Sequence, residues 1–369
     1  MTTLDLFRLA MPLVRPFRTS KGSESVREVV IARWTDADGV QGWAESAADP
    51  DPIYYAEYLD GVVLTTEQVL LPRLGSIGEV TPGKLRAAFA EVPGNPLAKA
   101  MVETAVLDAQ LRRHAMSLVD YLGSQRRPIP VGVSVGIADD LDTLLAWVAE
   151  YLEDGYRRIK LKIEPGWDVA PVRAVRQAFG AELPLQVDAN QAYTSADIPL
   201  LSRLDEFGLL LIEQPFPRPD LLAHRTLAAR RGTPVCLDES IWSLGEAMTA
   251  IHLGAADVIN IKPARVGGYL TARQIHDVCL ANGVPVFCGG TLETAVGRAA
   301  NLALATLPGF TLPGDISATS RYYSRDIGPA FELDDAGCLT APDGPGNGIE
   351  VDADALDDLT QAAWQFTLG

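Results

Sequence analysis

Long apolar runs are missing from this sequence. No stretch approaches the ~18 residues that a membrane span needs, so none is expected. The N-terminal stretch has no unbroken apolar core either, because Asp5 and Arg8 interrupt it, and a secretory leader is not expected. Cysteine is scarce: Cys236, Cys279, Cys288 and Cys338 show no CxxC spacing, and a reducing cytoplasm is the expected setting. Histidine is equally scarce, and His114, His224, His252 and His276 lie on helix-like segments without ligand spacing. Positive charge is in deficit, with 31 Lys and Arg against 48 Asp and Glu. The resulting net charge of -17 repels phosphate backbones, so no nucleic-acid partner is expected.

What remains is an ordinary globular composition, 47% apolar and 21% charged, without low-complexity tracts. A chain of 369 residues suits two domains better than one simple core. The most informative stretch is Arg158 to Asp168. Ile159, Leu161 and Ile163 alternate with Lys160 and Lys162, which places the apolar residues on one face of a strand and both lysines on the other. Two ammonium groups on an otherwise apolar strand require carboxylates nearby. Pro165-Gly166 ends the strand, so Lys162 stands at its carboxyl end.

Before this stretch, Val26–Trp34 reads as a strand, Asp36–Gly39 as a turn and Val40–Glu45 as the returning strand. Lys99–Arg113 carries a helical stripe of Met101, Ala105, Leu107 and Leu111. Together they predict a small α+β domain over 1–127. Beyond Pro128, short apolar strands begin at Ile129, Arg158, Pro184, Leu209, Pro234, Asp257 and Val284, and weakly at Phe310. Helix-like segments fill the intervals, and a repeat of about 25 residues fits a parallel α/β barrel over 128–320. The segment 321–369 is expected to pack back on the first domain.

Polar residues recur where these strands end. Lys160 and Lys162 end the second, Asp188 the third, Glu213 the fourth and Asp238 the fifth; Lys262 follows the sixth and Glu293 the seventh. In a barrel, the carboxyl ends of the strands ring one mouth. Three carboxylates converging there repel one another and call for a cation, and an all-oxygen donor set favours Mg²⁺, with Mn²⁺ second. Such a cation stabilises the charge that a carboxylate substrate gains when its α-proton leaves. A lysine takes that proton only if its pKa falls, and the proximity of Lys160 to Lys162 pushes in that direction. Capping of the following helices is the plain alternative for each acid. Gly132-Val133-Ser134-Val135-Gly136 matches a hydrolase elbow, but its β-branched residues oppose that turn, and Ser134 reads instead as a mouth residue.

Ile159–Asp168, Val187-Asp188-Ala189-Asn190, Leu211-Ile212-Glu213-Gln214-Pro215, Leu237-Asp238-Glu239-Ser240 and Asn260-Ile261-Lys262-Pro263 together resemble the enolase superfamily. More narrowly, the Lys-Ile-Glu-Pro-Gly-Trp-Asp stretch is similar to the branch of o-succinylbenzoate synthases and N-succinylamino acid (N-acylamino acid) racemases. The resemblance implies a (β/α)7β modified TIM barrel under an N-terminal α+β capping domain, with an antiparallel second strand or similar irregularity. It implies Asp188, Glu213 and Asp238 as ligands of Mg²⁺, Lys162 and Lys262 as the acid/base pair, and Lys160 as a supporting cation. It also implies that the cap's segment 16–25 closes over the mouth, and that the chain is a homo-oligomer acting on a small carboxylate.

Candidate substrate contacts are Ser134, Asn190, Arg265, Glu293 and Lys21. Arg265 stands where racemase-capable members of the branch carry arginine; a surface ion pair is its other reading. Lys21 replaces a usually apolar residue and is expected to face a distal carboxylate or solvent. Thr291 and Ala295 stand where the family pattern has Met and Gly, which alters the side-chain pocket. The expected reaction is o-succinylbenzoate synthesis, a dehydration in menaquinone biosynthesis, with racemase activity alongside. Dipeptide epimerisation, muconate-type cycloisomerisation and a non-catalytic metal-binding barrel are the alternatives.

Overall fold

The computed structural model describes residues 1–75 and 77–368. Strand β1 (Thr2–Thr19) pairs antiparallel with β2 (Gly22–Thr35), and β2 with β3 (Gln41–Ser46). The segment 16–25 is the tip of the β1–β2 hairpin, with Ser20 and Lys21 at its turn. Sequence reading assigned no element to residues 2–19; Pro12 lies in the strand, and the register slips between it and Phe17.

Period-two alternation explains how this sheet sits. Val29 and Ile31 of β2 pack into the barrel-side core, whereas Val30, Ala32 and Trp34 join a second core beneath the cap's helices. The helix Pro96–Arg113 serves both cores, so the single stripe expected for it divides. Met101 and Ala105 go to the cap core, Leu107 and Leu111 to the other. Each buried Leu contributes about 1.5–3 kcal/mol. Contact between helix and sheet is close enough that a Cβ on Gly42 would lie 2.2 Å from Ala105 O. Glycine alone fits there.

The barrel follows β4 (Ile129–Pro130) and consists of β5 (Val133–Val135), β6 (Ile159–Lys162), β7 (Leu185–Asp188), β8 (Ile212–Glu213), β9 (Val235–Leu237), β10 (Val258–Ile261) and β11 (Val286–Cys288), hydrogen-bonded in that order. All pairings among these seven strands are parallel, which corrects the expected antiparallel second strand. The irregularity lies in the eighth position instead. Residues 310–315 close the barrel by single bridges, Val286 to Phe310 on one side and Val131 to Gly314 on the other. Pro313, which has no N–H to donate, limits regular pairing there. β12 (Cys338–Leu339) pairs with β4, and β13 (Thr360–Leu368) returns to β1, adding a fourth strand to the cap sheet. Among the described residues no helix is long and apolar enough to cross a membrane.

Candidate active site

Strand register places the polar residues in layers inside the barrel. Ser134, Lys160 and Gln186 are partners across β5, β6 and β7. One layer nearer the carboxyl ends, Lys162 pairs with Asp188, Asp188 with Glu213, and Glu213 with Cys236. Asp238 lies two residues beyond Cys236 and therefore points the same way. On β10 and just past it, Asn260 and Lys262 continue the inward series from Val258, the partner of Cys236. Lys162, Asp188, Glu213, Asp238 and Lys262 are thus gathered at one mouth, with Lys160 one layer below.

Each acid is engaged by a cation. Lys160 Nζ donates to Glu213 Oε2 at 2.9 Å, lies 3.4 Å from Asp188 Oδ2, and is in closer contact with Asp315. Lys162 Nζ donates to Asp188 Oδ2 at 2.6 Å and to Asn190 Oδ1 at 2.8 Å. Lys262 Nζ donates to Asp238 Oδ2 at 3.0 Å, while Arg265 holds the other oxygen of Asp238. Among the described residues no three acidic, histidine or cysteine side chains close on one point, because amines stand between Asp188, Glu213 and Asp238.

The electrostatic balance still favours a cation. Burial, then the like charge of Asp188, pushes the Glu213 carboxyl up to about 8 despite Lys160. Burial and Asp238 push Glu239 up to about 7, and its Oε2 is buried without a hydrogen-bond partner among the described residues. These acids hold less positive charge than full ionisation demands. Their all-oxygen donor set suits Mg²⁺ or Mn²⁺.

Without a cation at the acids, Lys160 and Lys262 are held above the usual lysine range. Burial pulls both down, but carboxylates outweigh it: Asp315, Glu213 and Asp188 around Lys160, and chiefly Asp238 beside Lys262. Like-charge repulsion is the weaker effect because carboxylate partners stand closer. Asp238 itself lies below the carboxylate range, since Arg265 and Lys262 overcome its burial.

Lys162, Lys262, Asn190, Lys21, Phe17 and Tyr54 all line one mouth cavity of about 450 Å³ between cap and barrel. Asn190 reaches Lys162 from a backbone φ of 42°, and Gln214 sits at 37° one strand over. Such left-handed non-glycine residues cost of order 1–3 kcal/mol and cluster at functional sites. The other candidates lie deeper. Arg265 is fully buried behind Asp238, donating to Ile241 O and Asn260 O, which corrects the reading of a surface pair. Glu293 accepts from Thr291 and Asn301 and lines a smaller cleft behind Lys262. Ser134 is buried, and its carbonyl accepts from Arg321. A larger groove, about 580 Å³, runs past Glu103 and Trp242 but touches none of these lysines.

Three contributors escaped sequence reading. Asp315 binds both Lys160 and Arg158 from the closing segment; it ends the weak strand that begins at Phe310, so the strand-end rule reaches it. Asn260 donates to Glu213 Oε1 at 2.7 Å and was recoverable by alternation back from Lys262. Tyr54 comes from an aperiodic stretch of the cap and carries no sequence signal.

The comparisons with known proteins agree with this geometry. Residues 1–123 match the mandelate racemase / muconate lactonizing enzyme N-terminal domain, and residues 143–355 match the family described as enolase C-terminal domain-like. An N-succinylamino acid racemase from Amycolatopsis sp is 53% identical over 359 residues, covering 97% of each chain. An o-succinylbenzoate synthase from Geobacillus kaustophilus is 45% identical over 362 residues, covering 98% of this chain and 96% of that one. A solved structure of an enolase superfamily member from Listeria innocua Clip11262 superposes with a TM-score of 0.94 at 39% identity, covering 100% of this chain and 99% of the other. With both of its domains matched and relatives similar along nearly its whole length, the chain belongs to the enolase superfamily and is an enzyme of the branch that holds these lyases and isomerases.

Proposed function

We propose that this enzyme removes the proton α to a carboxylate, acting as an o-succinylbenzoate synthase with N-succinylamino acid racemase activity. The observation that carries the reading is that Lys162 and Lys262, from different strands, line the same cavity beside acids at successive strand ends. Relatives bearing both names stand at 53% and 45% identity. Asp188, Glu213 and Asp238 would hold Mg²⁺, for which Mn²⁺ substitutes. Bound there, the cation supplies positive charge to a carboxylate that gains a second negative charge as its α-proton leaves.

The remaining work falls to side chains. Lys162 and Lys262 address opposite faces of the α-carbon, one as ammonium and one as amine. Lys262 becomes a base only when Asp238 is engaged elsewhere, since that carboxylate accepts from the ammonium and keeps it protonated. In the racemase reaction one lysine takes the proton and the other delivers one to the far face. In the synthase reaction the lysine that takes the α-proton gives it to the departing hydroxide, so water leaves. Lys160 stays charged and holds Glu213 and Asp315 in place. Lys21, at the hairpin turn over the cavity, faces a distal carboxylate of the substrate. Menaquinone synthesis in the cytoplasm, by a homo-oligomer, is the proposed setting.

Proton NMR in D₂O tests this. Loss of the α-proton signal of an N-succinylamino acid, for either enantiomer supplied, is the expected result. No exchange with any N-acylamino acid, and no dehydration product, would contradict it and favour a non-catalytic barrel; exchange confined to dipeptides would favour an epimerase.

A further inference from the structure

The two lysines have matched polar surroundings with different origins. Lys162 Nζ meets one carboxylate, Asp188, and one neutral oxygen, Asn190 Oδ1 at 2.8 Å, both from the barrel. Lys262 Nζ likewise meets one carboxylate, Asp238, and one neutral oxygen, but that oxygen is the Tyr54 hydroxyl at 3.4 Å, which belongs to the cap. The same hydroxyl donates to Asp238 Oδ2 at 3.1 Å. An aromatic ring of the cap also stands near each amine, with Phe17 6.0 Å from Lys162 Nζ and Tyr54 5.5 Å from Lys262 Nζ. Only Tyr54 carries a hydroxyl.

We propose that Tyr54 is a positioning residue for Lys262 and not for Lys162, so that the capping domain aims one of the two lysines while the barrel aims the other. Without the hydroxyl, Lys262 Nζ retains Asp238 as its only oxygen partner among the described residues and is free to swing about that contact. The Lys162 amine loses nothing, because Asn190 is fixed independently by its own donation to Glu239 Oε1 at 3.0 Å. Tyr54 is also anchored as a ring, with its centroid 4.4 Å from that of Tyr55, which packs edge-on against Trp242. Phenylalanine at this position therefore keeps the packing and removes the oxygen.

The inference rests on the reading of Lys162 and Lys262 as the two proton carriers, and the experiment separates the two claims. Exchange of the α-proton of each enantiomer of an N-succinylamino acid is followed in D₂O for wild type, Tyr54→Phe, Lys162→Ala and Lys262→Ala, with unfolding midpoints confirming that each variant is folded. Tyr54→Phe is expected to lower kcat about tenfold, the worth of one hydrogen bond to a charged group, for the enantiomer that Lys262→Ala loses. KM for that enantiomer, and both constants for the other, stay within about twofold. Mn²⁺ affinity, titrated with the ion alone by electron paramagnetic resonance, is expected to be unchanged. Equal loss for both enantiomers, loss confined to the Lys162 side, no loss, or loss accompanied by weakened Mn²⁺ binding would each overturn the role of Tyr54. Wild-type enzyme that exchanges neither enantiomer, or only one, would remove the underlying two-lysine reading and this inference with it.

Discussion

Asp188 and Glu213 are register partners on adjacent parallel strands, both buried on the inner face of the barrel, with Lys160 reaching between them. Two carboxylates so placed, with Asp238 on the next strand, demand positive charge. Glu213 is accordingly expected to matter for metal affinity as well as for rate. Glu213→Gln should weaken Mn²⁺ binding at least ~10-fold by calorimetric titration, and chelation should abolish exchange until Mg²⁺ or Mn²⁺ is restored. Unchanged affinity in the variant would remove Glu213 from the ligand set.

Lys160 is a test of stability more than of chemistry. Its side chain is 4% exposed, and its amine engages Glu213, Asp188 and Asp315. Lys160→Met removes the only ammonium bonded to Glu213 among the described residues and leaves Asp188 with Lys162 and Asp315 with Arg158, and breaking a buried ionic cluster from one side costs about 3–5 kcal/mol. Urea unfolding without added metal should show that loss. A change below ~1 kcal/mol would mean that the acids take up protons or relax at little cost.

Gly289 makes room for Asn260 and Lys262. Its backbone φ lies outside the left-handed region, so an alanine there meets no conformational strain. Space is the constraint: a Cβ would lie 2.2 Å from Asn260 Oδ1 and 2.7 Å from Lys262 Cε. Gly289→Ala is therefore predicted to destabilise by about 1–3 kcal/mol and to reduce exchange, measured by thermal unfolding and NMR. Full activity would show that Asn260 and Lys262 move aside freely.

A pH dependence is expected from the interface of cap and barrel. Glu103, on the helix Pro96–Arg113, accepts from Leu270 N at 3.3 Å, and a Cβ on Gly268 would lie 2.2 Å from its Oε1. Burial outweighs that hydrogen bond and Arg86, raising its carboxyl to about 7. The unfolded value is near ~4.3, so between these limits the folded state binds the extra proton and stability falls as pH rises. Glu103→Gln should flatten that slope, read from urea midpoints at about pH 5 and pH 8. An unchanged slope would place the titration elsewhere.

Where period and position carry the information, the sequence was legible. Lys160 and Lys162 could be set on one face of a strand, and Asp188, Glu213, Asp238 and Lys262 at neighbouring strand ends, because parallel barrel strands alternate strictly and end at one mouth. What alternation does not encode was missed. The helix Pro96–Arg113 shows one stripe in sequence but packs against two cores, since it is covered on several sides. The closing segment that carries Asp315 reads only weakly as a strand and pairs through single bridges, so its terminal acid fell outside the strand-end series. Tyr54 approaches Lys262 across a sequence separation of 208 residues, a contact fixed by domain docking that no local pattern announces.

The central claim is that two lysines serve two faces of one carbon. The most direct measurement is α-proton exchange of both enantiomers of an N-succinylamino acid by Lys262→Ala in D₂O. With one lysine at each face, one enantiomer still exchanges, through Lys162, while the other stops. Equal loss for both would contradict it.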